Sequence, residues 1–118
     1  MAEERRKHRR IPISSTVSIR VKNRDNALSL ETLGANISLS GIAVYSNSPI
    51  EKGAAISIKI HFISLDGSIK ADSIEGKVVN VNPLEDLYFI NISFDEEVSP
   101  SKQPLLYEYF QRGLSFGY

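Results

Sequence analysis

Between positions 56 and 62 the chain reads Ile-Ser-Ile-Lys-Ile-His-Phe, apolar at every even position and polar at every odd one. Successive side chains of an extended strand point to opposite sides, so this order fits a strand with one face on a core and the other in water. The same period of two recurs. Val17, Ile19 and Val21 alternate with Ser18, Arg20 and Lys22, and Tyr88, Ile90, Ile92 and Phe94 line one face with Asn91 and Ser93 on the other. Leu28 to Leu33, Gly41 to Tyr45 and Ile69 to about Val81 supply three more strands. In the last of these the apolar phase passes from Ile69 and Ala71 to Ile74 and Val78, which predicts a β-bulge.

The segments between strands carry turn chemistry. Asn23 to Asn26, Ser46-Asn47-Ser48-Pro49, Glu51-Lys52-Gly53 and Pro83-Leu84-Glu85-Asp86 are turns, and Leu65-Asp66-Gly67-Ser68 holds the Asp-Gly pair of a tight hairpin. Near the C-terminus the period changes. Leu105, Leu106, Tyr109 and Phe110 recur at helical spacing, Pro104 suits a first helical turn, and Gly113 a stop. The reading is all-β: a six-stranded antiparallel β-barrel whose open end is capped by a short C-terminal α-helix at about residues 102–112. With 118 residues there is one such domain, covering 11–118.

Residues 1–10 stand apart as a basic arm. Arg5, Arg6, Lys7, Arg9 and Arg10 place five fixed cations within six positions, and only Met1 and Ala2 are apolar. Such a run repels itself and stays solvated unless an anion organises it. It is either a solubilising tail or an anion-binding arm. The chain as a whole carries 14 basic and 14 acidic residues, a balance unlike that of a nucleic-acid coat protein. No apolar targeting segment follows the arm, and no stretch reaches the roughly 20 apolar residues of a membrane helix. A soluble, cytoplasmic protein without membrane insertion is expected.

Catalytic constellations are sparse. Cysteine is absent, and the two histidines, His8 and His61, are not spaced as a metal pair. No Gly-x-Ser-x-Gly elbow or Gly-rich phosphate loop occurs. Asp95-Glu96-Glu97 reads as a solvated loop after a strand. An enzyme and a metal or organic cofactor are therefore not expected.

Two segments remain, and their chemistries are complementary. The arm offers Arg6-x-x-x-Arg10 and, one residue earlier, Arg5-x-x-x-Arg9. Asn36-Ile37-Ser38-Leu39-Ser40-Gly41 lies between the second and third strands. Guanidinium groups form paired bonds to phosphate and to the O6 and N7 acceptors of guanine. Asn and Ser supply both donors and acceptors. Gly41 permits positive φ or a close backbone approach to a ligand. Together they suit a ligand that presents guanine edges and phosphates.

At these residues the sequence resembles the PilZ family of bacterial cyclic di-GMP receptors, whose pattern is Arg-x-x-x-Arg, a strand, then (Asp/Asn)-x-Ser-x-x-Gly. Gly76-Lys77-Val78-Val79 and Tyr88 to Phe94 resemble the family's later strands, so the likeness spans about residues 4 to 110. It implies a split-barrel fold with cyclic di-GMP wrapped between arm and barrel. Arg6 and Arg10 would be the leading arm contacts, Arg5 and Arg9 secondary ones, and Asn36, Ser38 and Gly41 the barrel contacts. Asn80 departs from the pattern, standing where an aromatic or arginine often stacks on the ligand. With no further domain in sight, a downstream protein partner is expected to receive the signal. Two other readings compete: a PilZ-like structural or interaction barrel that binds no nucleotide, and a nucleic-acid binder. Against the latter, no row of aromatics lies on a polar strand face apart from Phe89.

Overall fold

The computed structural model describes residues 9–22, 29–63 and 66–115, with side chains to 112. Seven strands and one helix follow in order: β1 (Ile11–Pro12), β2 (Thr16–Val21), β3 (Ser29–Ile37), β4 (Gly41–Ser46), β5 (Ala55–Ile63), β6 (Ile69–Pro83), β7 (Tyr88–Phe94) and α1 (Pro104–Ser115). The turn at Asn23 to Asn26, Leu28 and Leu65 fall outside the described residues. The strands pair antiparallel in the order β3-β2-β5-β6-β7-β4, and β4 pairs back onto β3. That last pairing closes the sheet into a six-stranded barrel and leaves its backbone groups without an open edge.

The period of two explains the interior. Val17, Ile19, Val21, Ile42, Val44, Ile56, Ile58, Ile60, Ile90 and Ile92 all lie inward, each at most 5% exposed. β-branched side chains suit this pleated wall because their stiff χ1 angles cost little in a strand. The predicted Asp-Gly hairpin is present in its described part. Gly67 has φ of 86°, the left-handed conformation that favours glycine, and Asp66 Oδ1 accepts from the Ser68 amide at 2.9 Å.

β1 is the strand beyond the expected six. Ile11 faces Ile37 and Pro12 faces Asn36, on the same edge of β3 that β2 uses further along. Two bonds bridge the gap between β1 and β2: the Ile13 amide donates to Ala35 O and the Gly34 amide to Ser15 O. Ile11 and Ile13 are 1% and 5% exposed and belong to the core, while Pro12 between them faces out.

The bulge predicted between Ala71 and Ile74 is not there. β5 and β6 pair without interruption from Ile63↔Ile69 to Ala55↔Lys77. Ile69 and Ala71 share the phase of outward-facing His61 and Ile63, which is why Ile69 is 74% exposed. The bulge in β6 lies later, at Val79, where pairing with β7 shifts between Val78 and Asn80. A second bulge falls at Ala35, between Gly34 and Asn36 in the β3–β4 pairing.

The helix begins at Pro104 as expected but runs through Gly113 to Ser115. Leu106 and Phe110 enter the core, each contributing roughly 1.5–3 kcal/mol of burial. Its first turn is held from the barrel: Asp72 Oδ2 of β6 accepts from the Leu106 amide at 2.8 Å, and Gln103 Nε2 donates to Ser73 O at 3.3 Å. The Tyr109 hydroxyl donates to Pro12 O at 3.1 Å, and its ring stacks on Phe62 with centroids 6.4 Å apart. Asp72 thus does for α1 what an N-cap side chain normally does from the preceding residue. Asp72→Ala should lower stability by about 1 kcal/mol. Urea unfolding should show an earlier midpoint with an unchanged slope; an unmoved midpoint would show that the cap contributes nothing.

Candidate ligand-binding site

The bulge at Ala35 sets the position of Asn36. Up to Gly34, even-numbered residues of β3 face inward: Thr32 is buried, and Gly34 opposes inward-facing Val44. One unpaired residue reverses the phase. Ile37 now enters the core opposite Ile42, and Asn36 turns to the outer surface between Pro12 of β1 and Ala43 of β4. Arg10 immediately precedes Ile11, whose burial pins the chain at this point. The Arg10 guanidinium therefore meets Asn36, and Nη1 donates to Asn36 Oδ1 at 2.6 Å. Nη2 lies 3.6 Å from where a Cβ on Gly41 would stand. The C-terminal end of the arm and the Asn-x-Ser-x-x-Gly segment are thus brought together on the outside of the barrel wall.

Ser38 and Gly41 have different tasks from Asn36. Ser38 is 2% exposed, and its Oγ accepts from the amides of Ser40 at 3.1 Å and Gly41 at 3.2 Å. Its own amide donates to Gly41 O at 2.8 Å. The hydroxyl holds the tight connection from β3 to β4, a local bond that serine commonly makes. Gly41 is not in the left-handed region, which among the described glycines holds only Gly53 and Gly67. It is close-packed instead: a Cβ there would stand 2.5 Å from Ile92 O of β7. The positive φ allowed for Gly41 from sequence is thus absent, and the close approach is to the protein's own neighbouring strand.

Of the other arm residues, Arg9 is described and exposed, whereas Arg5 and Arg6 lie outside the described residues, as does His8. Asn80 projects from β6 beside the Val79 bulge, its Oδ1 accepting from the Val81 amide at 3.0 Å. His61 is half-buried on the outer face of β5, its Nε2 3.1 Å from Ser18 Oγ, which donates to Glu31 at 2.7 Å. In that string the carboxylate takes the hydroxyl proton, and the imidazole stands at the end; a catalytic triad needs the imidazole in the middle. Glu96 accepts a hydrogen bond from Lys102 at 2.7 Å; that bond and the charge of Lys102 hold its carboxyl below the usual carboxylate range. Among the described residues no cluster of His, Asp and Glu is suited to a metal ion, and no helix is long and apolar enough to cross a membrane. Sequence reasoning gave no role to Tyr45, whose ring meets that of Phe89 across the β4–β7 pair at 5.2 Å between centroids. The outward phase of Phe89 is readable from the alternation of its strand, but that Tyr45 stands opposite it is readable only once the β4–β7 register is known.

Comparison with known proteins gives a consistent result. A family model described as the PilZ domain matches residues 4–111. No curated protein matches the chain. Among solved structures, the inhibitor of motility MotI/DgrA of Bacillus subtilis superposes with a TM-score of 0.70 at 21% identity, covering 97% of this chain and 54% of its own. The PilZ domain with c-di-GMP of YcgR from Escherichia coli gives a TM-score of 0.66 at 16% identity, covering 94% of this chain and 92% of its own. The crystal structure of YcgR in complex with c-di-GMP, also from Escherichia coli, gives 0.67 at 16% identity over 94% of this chain and 48% of its own. The chain thus spans about half the length of MotI/DgrA and of the longer YcgR structure, and these likenesses establish a shared fold. Gly41→Ala should push β4 away from β7, and overpacking of this kind costs about 1–3 kcal/mol. Thermal unfolding without any ligand should show the loss; an unchanged melting temperature would mean that the close approach to Ile92 is easily relaxed.

Proposed function

The chain belongs to the PilZ domain family, non-catalytic modules that typically bind c-di-GMP, and on that footing we propose that it is itself a cyclic di-GMP receptor that signals through its N-terminal arm. The observation that carries the reading is the seating of Arg10 on Asn36 beside Gly41. A guanidinium held against an amide on a surface of small residues offers charge-assisted bonds to phosphate and paired donors to O6 and N7 of guanine. Arg6, four positions before Arg10 in the sequence, is the second phosphate or base contact. Arg5 and Arg9 are secondary contacts. Asn36 is the principal barrel-side contact, and Ser38 and Gly41 contribute by shaping the connection that presents it. A downstream protein recognises the liganded form, and the module acts in the bacterial cytoplasm.

The arm provides the switch. A polyanionic ligand gives its cations a common partner, and several charge-assisted bonds offset the ordering cost of about 1–2 kcal/mol per residue. The root of the arm is already placed by Ile11 and Arg10, so ordering concerns the residues before them. A barrel that keeps the fold without nucleotide is the second reading. One observation favours it: Ser38 and Gly41 are both occupied by the turn and the β4–β7 pairing.

Titration calorimetry separates the two. Arg10→Ala should weaken cyclic di-GMP binding at least tenfold, since a charge-assisted bond is worth about 1.5–3 kcal/mol and 1.4 kcal/mol is a factor of ten. Cyclic di-AMP should bind much more weakly, because adenine puts an amino donor where guanine has O6. No binding of cyclic di-GMP would leave the structural reading. The arm is tested by amide exchange: residues 5 to 8 should gain protection at saturation while Ile56 to Phe62 stay unchanged. Equal protection of those arm amides with and without ligand would overturn the switch.

A further inference from the structure

The pairing registers trace the outer surface around Asn36 strand by strand. One row runs Pro12, Asn36, Ala43, Asn91 and Asn80, and a second, two residues along β4, runs Leu33, Tyr45, Phe89 and Asn82. Tyr45 and Phe89 form a tilted pair, with their ring planes 53° apart. Tyr45 is 36% exposed, and the residues two and four positions before it on the strand, Ala43 and Gly41, carry at most a methyl. Ala43, fully buried despite its outward phase, is covered by its neighbours, and its cross-strand partners on that face are Asn36 and Asn91, so small and amide side chains separate the Arg10 guanidinium from the two rings. Four residues of strand separate Gly41 from Tyr45, roughly 13 Å at about 3.3 Å per residue.

We propose that Tyr45 and Phe89 form a base-stacking subsite that takes the guanine of cyclic di-GMP distal to Arg10 and Asn36. The inference rests on the receptor reading above and extends its site along β4 to β7. Exposed aromatic faces hold bases by stacking, whatever the base's hydrogen-bonding edge. What surrounds the rings points to a nucleobase rather than a protein side chain. Asn91 precedes the Phe89 row on the same face and Asn82 stands opposite Phe89, so amides that both donate and accept frame the pair. Within the row the apolar companion is Leu33, and the exposed Leu84 and Leu87 stand past Asn82 and Phe89 at the turn between β6 and β7. A cation at one end and an aromatic step at the other match a ligand that alternates phosphate and base.

The test is titration of the whole chain with cyclic di-GMP, comparing the wild type with Arg10→Ala, Tyr45→Ala and Tyr45→Phe, each checked for folding by circular dichroism. Tyr45→Ala should lose at least about fivefold in affinity, because the stacking face is gone, and Tyr45→Phe should bind like the wild type. The chain contains no tryptophan, so Tyr45→Trp gives a single reporter whose fluorescence should be quenched when a base stacks on it. That variant and Tyr45→Phe decide the matter if Tyr45→Ala does not fold. Binding that is weakened by Arg10→Ala but unchanged in Tyr45→Ala, with fluorescence of Tyr45→Trp unmoved, would overturn the subsite and leave the row as a protein-docking patch. Absence of wild-type binding would instead reject the receptor reading, and the subsite with it.

Discussion

A strand assigns its side chains alternately to two faces, so one unpaired residue hands every later side chain to the opposite side. At Ala35 this happens two residues before β3 ends. Without it Asn36 would continue the inward phase of Thr32 and Gly34, a carboxamide would enter an isoleucine-rich core, and Ile37 would face water. With it, Ile37 seals the barrel and Asn36 reaches the surface where Arg10 is waiting. The bulge is itself stitched in place, because Ala35 O accepts from the Ile13 amide just after β1. Val79 does the equivalent on β6: Val81 faces the interior opposite Ile90, and Asn80 and Asn82 face out. The two shifts flank one stretch of wall, and that stretch carries the polar groups of the candidate site.

The strands that could be read from sequence are those whose two faces differ in polarity over several residues. Ile56 to Phe62 is the clearest case, and its pairing on β2 and β6 keeps Ile58 on one face with Ile19 and Ile74. The bulges could not be read, because alanine and valine carry no signature for being unpaired. The change of phase near Ala71 imitated a bulge for a different reason. Ile69 is an apolar residue on the outer face, and periodicity alone cannot tell an exposed isoleucine from a buried one. β1 escaped notice because two residues around a proline give no period at all. The helix passed Gly113 because one glycine weakens a helix without ending it.

The candidate site was legible as a list of residues and only partly as a geometry. Arg10 and Asn36 were identified by their chemistry, and the fold brings them into contact. That Asp72 holds the start of α1 was invisible, since a carboxylate 34 positions away in sequence gives no local capping pattern. The same holds for Tyr109, which bonds to Pro12 and so ties the last helix to the strand that roots the arm.

The distribution of tasks within Asn-x-Ser-x-x-Gly bears on what such a signature records. Ser38 spends its hydroxyl on two backbone amides, and Gly41 is required by the carbonyl of a neighbouring strand. Both are demands of folding, present whether or not a nucleotide ever arrives. Only Asn36 turns a functional group toward Arg10 and the solvent side of the wall. In this chain, then, two letters of the signature are tied to the architecture, and the third presents an amide with a cation resting on it.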